Sequence, residues 1–191
     1  MENYKAVVIG CGRIGTESHH YSSDVRPGTH AESYMIHAHT DLIGVSDSNS
    51  EKLEIAKNYY NFYYRPIITT KSITKLLKKT NPDIVSIATP PETHYKLINQ
   101  ISKFDSVKAI ICEKPISKTI VESKKMINLC HKKNILLFIN HQRRFDPLLN
   151  NWKNNLKSGI IGNILQGDCY YYNGIFNNGT HIIDLLRFFI G

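Results

Sequence analysis

Short apolar runs alternate with longer stretches in which apolar residues recur every three or four positions, and the alternation holds from the N-terminus to about residue 140. The runs at residues 5–9, 42–46, 84–88, 108–112 and 136–139 read as strands, and most have apolar residues at successive positions, as strands covered on both faces do. A weaker strand is expected at residues 62–64. Ser48-Asn49-Ser50-Glu51, Thr89-Pro90-Pro91-Glu92 and Thr119-Ile120-Val121-Glu122 each place a hydroxyl three residues before a glutamate, the capping-box spacing, with Pro90 in the tolerated first helical position. They predict helices running to about Tyr60 after the first and to about Lys133 after the third, and a further short helix covers residues 72–79. Strand and helix in alternation predict an α/β fold, a doubly wound parallel sheet.

Two segments depart from this rhythm. Residues 16–29, with His19, His20, Pro27 and Gly28, lack helical periodicity and read as an inserted loop, after which a helix resumes near His30 and runs to about His39. Beyond residue 140 the pattern gives a helix at 147–157, a strand at 164–173 carrying Tyr170, Tyr171 and Tyr172, and a last helix at 179–190. That strand has no sequence neighbour to pair with after residue 140, and an isolated strand leaves its backbone groups unsatisfied. The expectation is therefore two domains, residues 1–140 and residues 141–191, the second an incomplete start. The chain itself is expected to be a piece of a longer protein.

Composition narrows the classes. With 191 residues and 41% hydrophobic content, the chain has the make-up of an ordinary globular protein. No apolar run is long enough to span a bilayer. The first residues enter a strand directly, which leaves no room for a signal peptide. The four cysteines, Cys11, Cys112, Cys130 and Cys169, are scattered and read as reduced thiols of a cytoplasmic protein. The net charge of +8 comes from lysines spread along solvent faces, without a basic stripe or interleaved aromatics, so no nucleic-acid partner is expected. Five histidines fall between His19 and His39, yet His37 and His39 are two apart and would point apart on a helix, so no metal site is expected.

The candidate chemistry lies where the strands end. Gly10-Cys11-Gly12-Arg13-Ile14-Gly15 follows the first strand. In such a turn Gly10 permits the tight bend, Gly12 lets backbone approach a pyrophosphate, and Gly15 lets helix pack on strand. Phosphate would sit at the start of the following helix, where N–H groups and the dipole favour negative charge. Asp47 ends the second strand, where an acid can accept from adenosine ribose hydroxyls and repel a 2′-phosphate, or simply cap a helix. Thr89, Pro90, Pro91 and His94 follow the third predicted long strand. Glu113 and Lys114 follow the next, either as a proton-transfer lysine and its neighbour or as a solvated pair. Arg143 and Arg144 follow the last, suited to phosphate or carboxylate, or to a charged domain junction. Asn177, His181 and Asp184 fall at i, i+4 and i+7, a polar stripe that reads either as a base with its orienting acid or as a solvated face.

In that order, the glycine run, Ala88-Thr89-Pro90-Pro91 with His94, Glu113-Lys114-Pro115, Arg143-Arg144-Phe145-Asp146-Pro147 and Gly179-Thr180-His181-Ile182-Ile183-Asp184-Leu185 resemble the Gfo/Idh/MocA family of oxidoreductases. The resemblance implies that residues 1–140 are a dinucleotide-binding Rossmann domain for NAD, with NADP the lesser alternative, and that residues 141–191 are the incomplete start of an α+β substrate domain. It implies hydride transfer between nicotinamide and a hydroxyl carbon of a sugar, cyclitol or nucleotide sugar. It implies Gly10, Gly12, Arg13, Ile14, Gly15, Asp47, Thr89, Pro90, Pro91, His94, Glu113, Lys114 and Arg143 at the cofactor. Lys114 would touch the nicotinamide ribose and the reacting hydroxyl, His181 would take the hydroxyl proton, and Asp184 would fix His181 or a substrate hydroxyl. A cis Lys114–Pro115 bond and homo-oligomers formed through the C-terminal sheet are also implied. Many family members carry aspartate where Asn177 stands, and an amide takes no proton at neutral pH. The alternatives are a non-catalytic NAD-binding regulator and an inactive fragment.

Overall fold

The computed structural model describes residues 3–17 and 27–191, in two compact units, Met1–Phe138 and Ile139–Gly191. His19 and His20 lie outside the described residues. The strands are β1 (Tyr4–Ile9), β2 (Thr40–Ser46), β3 (Ile68–Thr70), β4 (Ile84–Ile87), β5 (Ala109–Cys112) and β6 (Leu136–Ile139). They form one sheet in the order β3-β2-β1-β4-β5-β6, with β1 parallel to β2 and β4, β2 to β3, and β4 to β5. The order reverses between β1 and β4, so a crevice opens beyond the carboxyl ends of these two strands, where open α/β sheets bind ligands.

The helices of the first unit are α1 (His30–Ile36), α2 (Ser50–Tyr63), α3 (Ile73–Thr80), α4 (Pro91–Ile101) and α5 (Ile120–Lys132). Burial follows the two periodicities. Ala6 and Val8 of β1 pack in one cluster with Ala31 and Tyr34 of α1 and Leu53, Ala56 and Tyr60 of α2. Val7, also fully buried, points to the other face of the pleat. Thr119 caps α5 as expected, accepting from Glu122 N at 3.2 Å. The other two capping boxes are corrected. Asn49 rather than Ser48 caps α2, accepting from Glu51 N at 2.8 Å. Pro90 precedes α4 with no side-chain cap and Pro91 takes the first turn, because proline needs no partner for a missing N–H.

Two further sequence expectations are corrected. Residues 62–64 are not a strand: Phe62 and Tyr63 belong to α2, and Tyr64 caps it. Helical spacing stacks these rings, Tyr59 on Tyr63 at 4.9 Å and Tyr60 on Tyr64 at 5.9 Å, while Tyr60 fills the core. The strand comes later, as β3, paired with Gly44–Ser46. In the second unit, residues 164–173 form no strand; Leu165 is 95% and Tyr170 92% exposed. The described residues 140–191 contain no other strand, so this segment has no ladder to join. The unit holds a 3-10 turn (Gln142–Phe145), α6 (Pro147–Lys157), a wide π turn (Ile175–Gly179) and α7 (Thr180–Ile190).

Residues 18–26 of the expected insertion lie outside the described residues, and the backbone on either side of them is joined directly. Gly15 N and Thr16 N donate to Gly12 O, opening a helical turn. His30 N then donates to Ile14 O and Ala31 N to Gly15 O, both at 3.0 Å. In an uninterrupted α-helix residues 18 and 19 would make those two bonds. One helix is thus interrupted and resumed in register, and it ends at Ile36, short of the expected His39. Deleting residues 18–29, which joins Glu17 to His30, is expected to leave a folded sheet with a thermal midpoint within about 4 °C of the parent. Loss of a cooperative thermal transition in that variant would contradict the resumed-helix geometry.

Candidate active site

The glycine turn is built by backbone crowding. Gly10 has φ +101°, and a Cβ there would lie 2.6 Å from Ala88 O. A Cβ on Gly15 would lie 1.9 Å from Gly10 O. Side chains are excluded at both positions by the protein itself. Gly12 differs: its Cβ would meet nothing closer than Lys52 Nζ at 3.5 Å, an ordinary contact. A glycine in open space at the crevice fits a ligand that approaches backbone closely, and the residues present therefore suit a dinucleotide diphosphate.

Asp47 fastens the turn from the side. Its Oδ2 accepts from Cys11 N at 2.7 Å and its Oδ1 from Asn49 N at 2.8 Å, while Gly10 N donates to Ser46 O. A carboxylate has about four acceptor positions, so ribose hydroxyls can still be received. Lys52, from the first turn of α2, pairs with Glu17 at 3.6 Å beside Gly12. Burial, and then the Asp47 charge, push the Cys11 thiol up to about 12, so it stays protonated at neutral pH.

The loop after β4 is set by Thr89 Oγ1 and Thr93 Oγ1, 2.6 Å apart, and by Thr93 donating to Pro90 O at 2.7 Å. His94 is fully buried. Its Nε2 lies 2.8 Å from Thr89 O and its Nδ1 3.0 Å from Ile116 O, with Cys112 Sγ 3.2 Å from Nδ1. It has no exposed surface, and its ring stands between Thr89 O in the loop after β4 and Ile116 O in the loop after β5. Burial raises the Cys112 thiol as well, with Glu113 adding to it. Lys114 is half-buried in the second of these loops, and the Lys114–Pro115 bond is cis.

Glu113 leads to residues that the sequence did not single out. His30 Nε2 is 2.9 Å from Glu113 Oε1, His30 Nδ1 is 3.1 Å from Ser86 Oγ, and Ser86 Oγ is 2.7 Å from Tyr34 Oη. Ser86 is fully buried and His30 nearly so. The glycine fingerprint gave no pointer to His30, because the insertion moves it well away from its place four residues beyond Ile14.

In the second unit, Asp184 of α7 takes Arg144 in a fork. Arg144 Nε is 2.9 Å from both carboxylate oxygens and Nη2 is 2.8 Å from Oδ1. The pairing raises the Arg144 pKa and keeps the guanidinium charged. His141 Nδ1 is 3.8 Å from Asp184 Oδ2, and the His141 and His181 rings stand edge-on with centroids 6.2 Å apart. His181 is buried. Asp184 thus grips Arg144, and His141 joins the group unforeseen. Asn177 is exposed within the π turn, where Gly179 N reaches back to Gly174 O. The wider turn breaks the i, i+4, i+7 stripe that a regular helix would give. Arg143 is half-buried in the 3-10 turn and Arg13 exposed in the glycine turn. Among the described residues, no group of three histidine, cysteine or carboxylate side chains is arranged to hold a metal ion.

Strand order, crevice and glycine turn define a Rossmann dinucleotide-binding fold. Residues 4–141 match the oxidoreductase family with an NAD-binding Rossmann fold, and the chain belongs to this Gfo/Idh/MocA family. It is 29% identical over 162 residues to a myo-inositol 2-dehydrogenase of Thermotoga maritima, covering 81% of this chain and 41% of that protein. The fold is shared with an Agrobacterium radiobacter oxidoreductase crystallised with NAD+, L-tartaric acid and magnesium (TM-score 0.79, 20% identity, 99% of this chain and 55% of that one). It is also shared with the WlbA dehydrogenase of Bordetella pertussis in complex with NADH and UDP-GlcNAcA (TM-score 0.77, 20% identity, 100% and 56%). The chain spans between a quarter and somewhat over half the length of the curated relatives it matches.

The two crowded glycines and the open one make opposite demands. Gly15→Ala is expected to destabilise the fold at or beyond the upper end of the ~1–3 kcal/mol typical of overpacked cores. Gly12→Ala is expected to leave stability within about 1 kcal/mol yet weaken NADH binding about tenfold. Urea unfolding and NADH fluorescence titration of both variants check this; equal effects at the two positions would contradict it.

Proposed function

We propose that residues 1–140 bind NAD and that residues 141–191 begin the substrate domain of an oxidoreductase acting on a hydroxyl carbon of a sugar, cyclitol or nucleotide sugar. The observation that carries the reading is Gly12, kept as glycine in open space between two glycines that the protein itself crowds. Its backbone can approach a diphosphate that a side chain would hold off. Bound NAD would supply the hydride acceptor. Asp47, beside the turn, would receive the adenosine ribose, and its charge favours NAD over NADP. Arg13, Ile14, Thr89, Pro90, Pro91, Glu113 and Arg143 would complete the binding surface, with His94 supporting it from beneath.

Lys114 would hold the reacting hydroxyl at the cofactor, and His181 would receive its proton. Asn177 orients rather than accepts, since an amide takes no proton at neutral pH. Asp184, engaged with Arg144, would act as a support for that surface. The half-length match to relatives leaves room for a sheet contributed by the rest of a longer protein, through which family-like homo-oligomers would form. The thiol state of its cysteines suits a cytoplasmic setting.

Titration of the 191-residue chain with NADH is expected to enhance nicotinamide fluorescence, and NADPH is expected to bind about tenfold more weakly or worse, because the Asp47 charge faces a 2′-phosphate. Asp47→Asn should close most of that gap. NADPH binding as tightly as NADH would remove the Asp47 assignment, and no binding of either would remove the whole reading. In turnover with NAD+ and a panel of cyclitols, sugars and nucleotide sugars, Lys114→Ala and His181→Ala should each lower the rate by about 100-fold or more; unchanged rates would reassign the chemistry.

A further inference from the structure

We propose that His30 is a positioning residue for Lys114, acting through Glu113, and that it ties the phosphate turn to the lysine loop so that the two ends of the cofactor crevice are set as one unit. The inference rests on the reading above, that Lys114 faces a bound nicotinamide cofactor.

Four side chains follow one another within hydrogen-bond reach, from Glu113 through His30 and Ser86 to Tyr34. A carboxylate only accepts, so His30 Nε2 carries the N–H that points at Glu113 Oε1, 2.9 Å away. His30 Nδ1 lies 3.1 Å from Ser86 Oγ, a hydroxyl that can donate or accept. Tyr34 Oη lies 2.7 Å from Ser86 Oγ, so the two hydroxyls share a hydrogen bond. Tyr34 can play this part because burial holds its phenol up at about 12, so its proton stays on. Each group has the partner it needs, which is the condition for a buried polar chain to order its surroundings rather than destabilise them.

Position gives the chain its consequence. His30 opens α1 and its own N–H donates to Ile14 O, within the glycine turn. Glu113 is joined by one peptide bond to Lys114. His94, fully buried, packs against the same loop from beyond the cis bond, its Nδ1 3.0 Å from Ile116 O. Lys114 therefore sits in a loop clamped on each side by a buried imidazole, and one of the two clamps is an extension of the phosphate turn. A shift of the glycine turn is transmitted through His30 to the residue next to Lys114.

The test uses NADH as the probe and the 191-residue chain, in which trinitrobenzenesulfonate labelling of Lys114 is followed by peptide mass spectrometry against exposed Lys71. In the unsubstituted chain and in Glu113→Gln, whose amide oxygen still accepts from His30, NADH should slow Lys114 labelling about tenfold. In His30→Phe that protection should be lost while NADH affinity stays within about threefold, and in Glu113→Ala it should be lost at NADH concentrations that saturate the variant. Protection retained in either of these variants overturns the proposal. So does a parallel loss of affinity and protection in His30→Phe, which is what a merely structural role would give. If His30→Phe does not fold, the contrast between Glu113→Gln and Glu113→Ala decides, and equal loss in both overturns it. Absence of NADH binding to the unsubstituted chain would refute the proposed function itself. Binding without protection of Lys114 would refute the placement of Lys114, and this inference with it.

Discussion

Everything in the candidate site depends on how closely three pieces of backbone meet at the end of β1. Gly10 lies against the carbonyl of Ala88, Gly15 closes over the carbonyl of Gly10, and Asp47 reaches across to the amide of Cys11. None of these contacts leaves space for a β-carbon at Gly10 or Gly15. The crowding brings the first helical turn hard against the sheet, and the N–H groups that open a helix are then presented at the mouth of the crevice. The strands β1, β2 and β4 supply those three pieces because parallel pairing puts their carboxyl ends side by side. Sheet order, glycine placement and acid placement are one constraint seen at three positions.

The second layer of the site is polar and buried. His30 and His94 are both removed from solvent, and each has its ring nitrogens within hydrogen-bond reach of oxygen atoms on other segments. Buried polar groups are costly when unmatched, and matched networks specify one arrangement. Here the arrangement specified is that of the loops after β4 and β5, which carry Thr89 and Lys114. The apolar core fixes where the strands lie, and the two imidazoles fix how their ends turn.

Most of the first unit was readable in the sequence because burial on both faces of a sheet writes itself as uninterrupted apolar runs, which is why the five long strands fall within a residue or two of their expected ends. The aromatic run at 59–64 misled because tyrosine and phenylalanine favour strands by propensity, while their spacing stacks rings one helical turn apart. The run at 164–173 misled for the opposite reason: a strand-like pattern is no strand without a neighbour. His30 was invisible because its role depends on a helix resuming in register across an insertion, a relation that holds in space and not along the chain. Asp184 was recognised as a chemical residue, but its partner Arg144 could only be found once the 3-10 turn and α7 were built. The π turn that displaces Asn177 has no signature in side-chain spacing.

The central claim is that the amides of the glycine turn receive a diphosphate. The most direct measurement is a 15N-1H correlation spectrum of the chain titrated with NADH. The account requires the largest shifts at the amides of Gly12, Arg13, Ile14 and Gly15, with a second group at Asp47 and its neighbours. Shifts confined to the opposite edge of the sheet, around Lys5, Asp83 and Lys108, with the glycine amides unmoved, would contradict it.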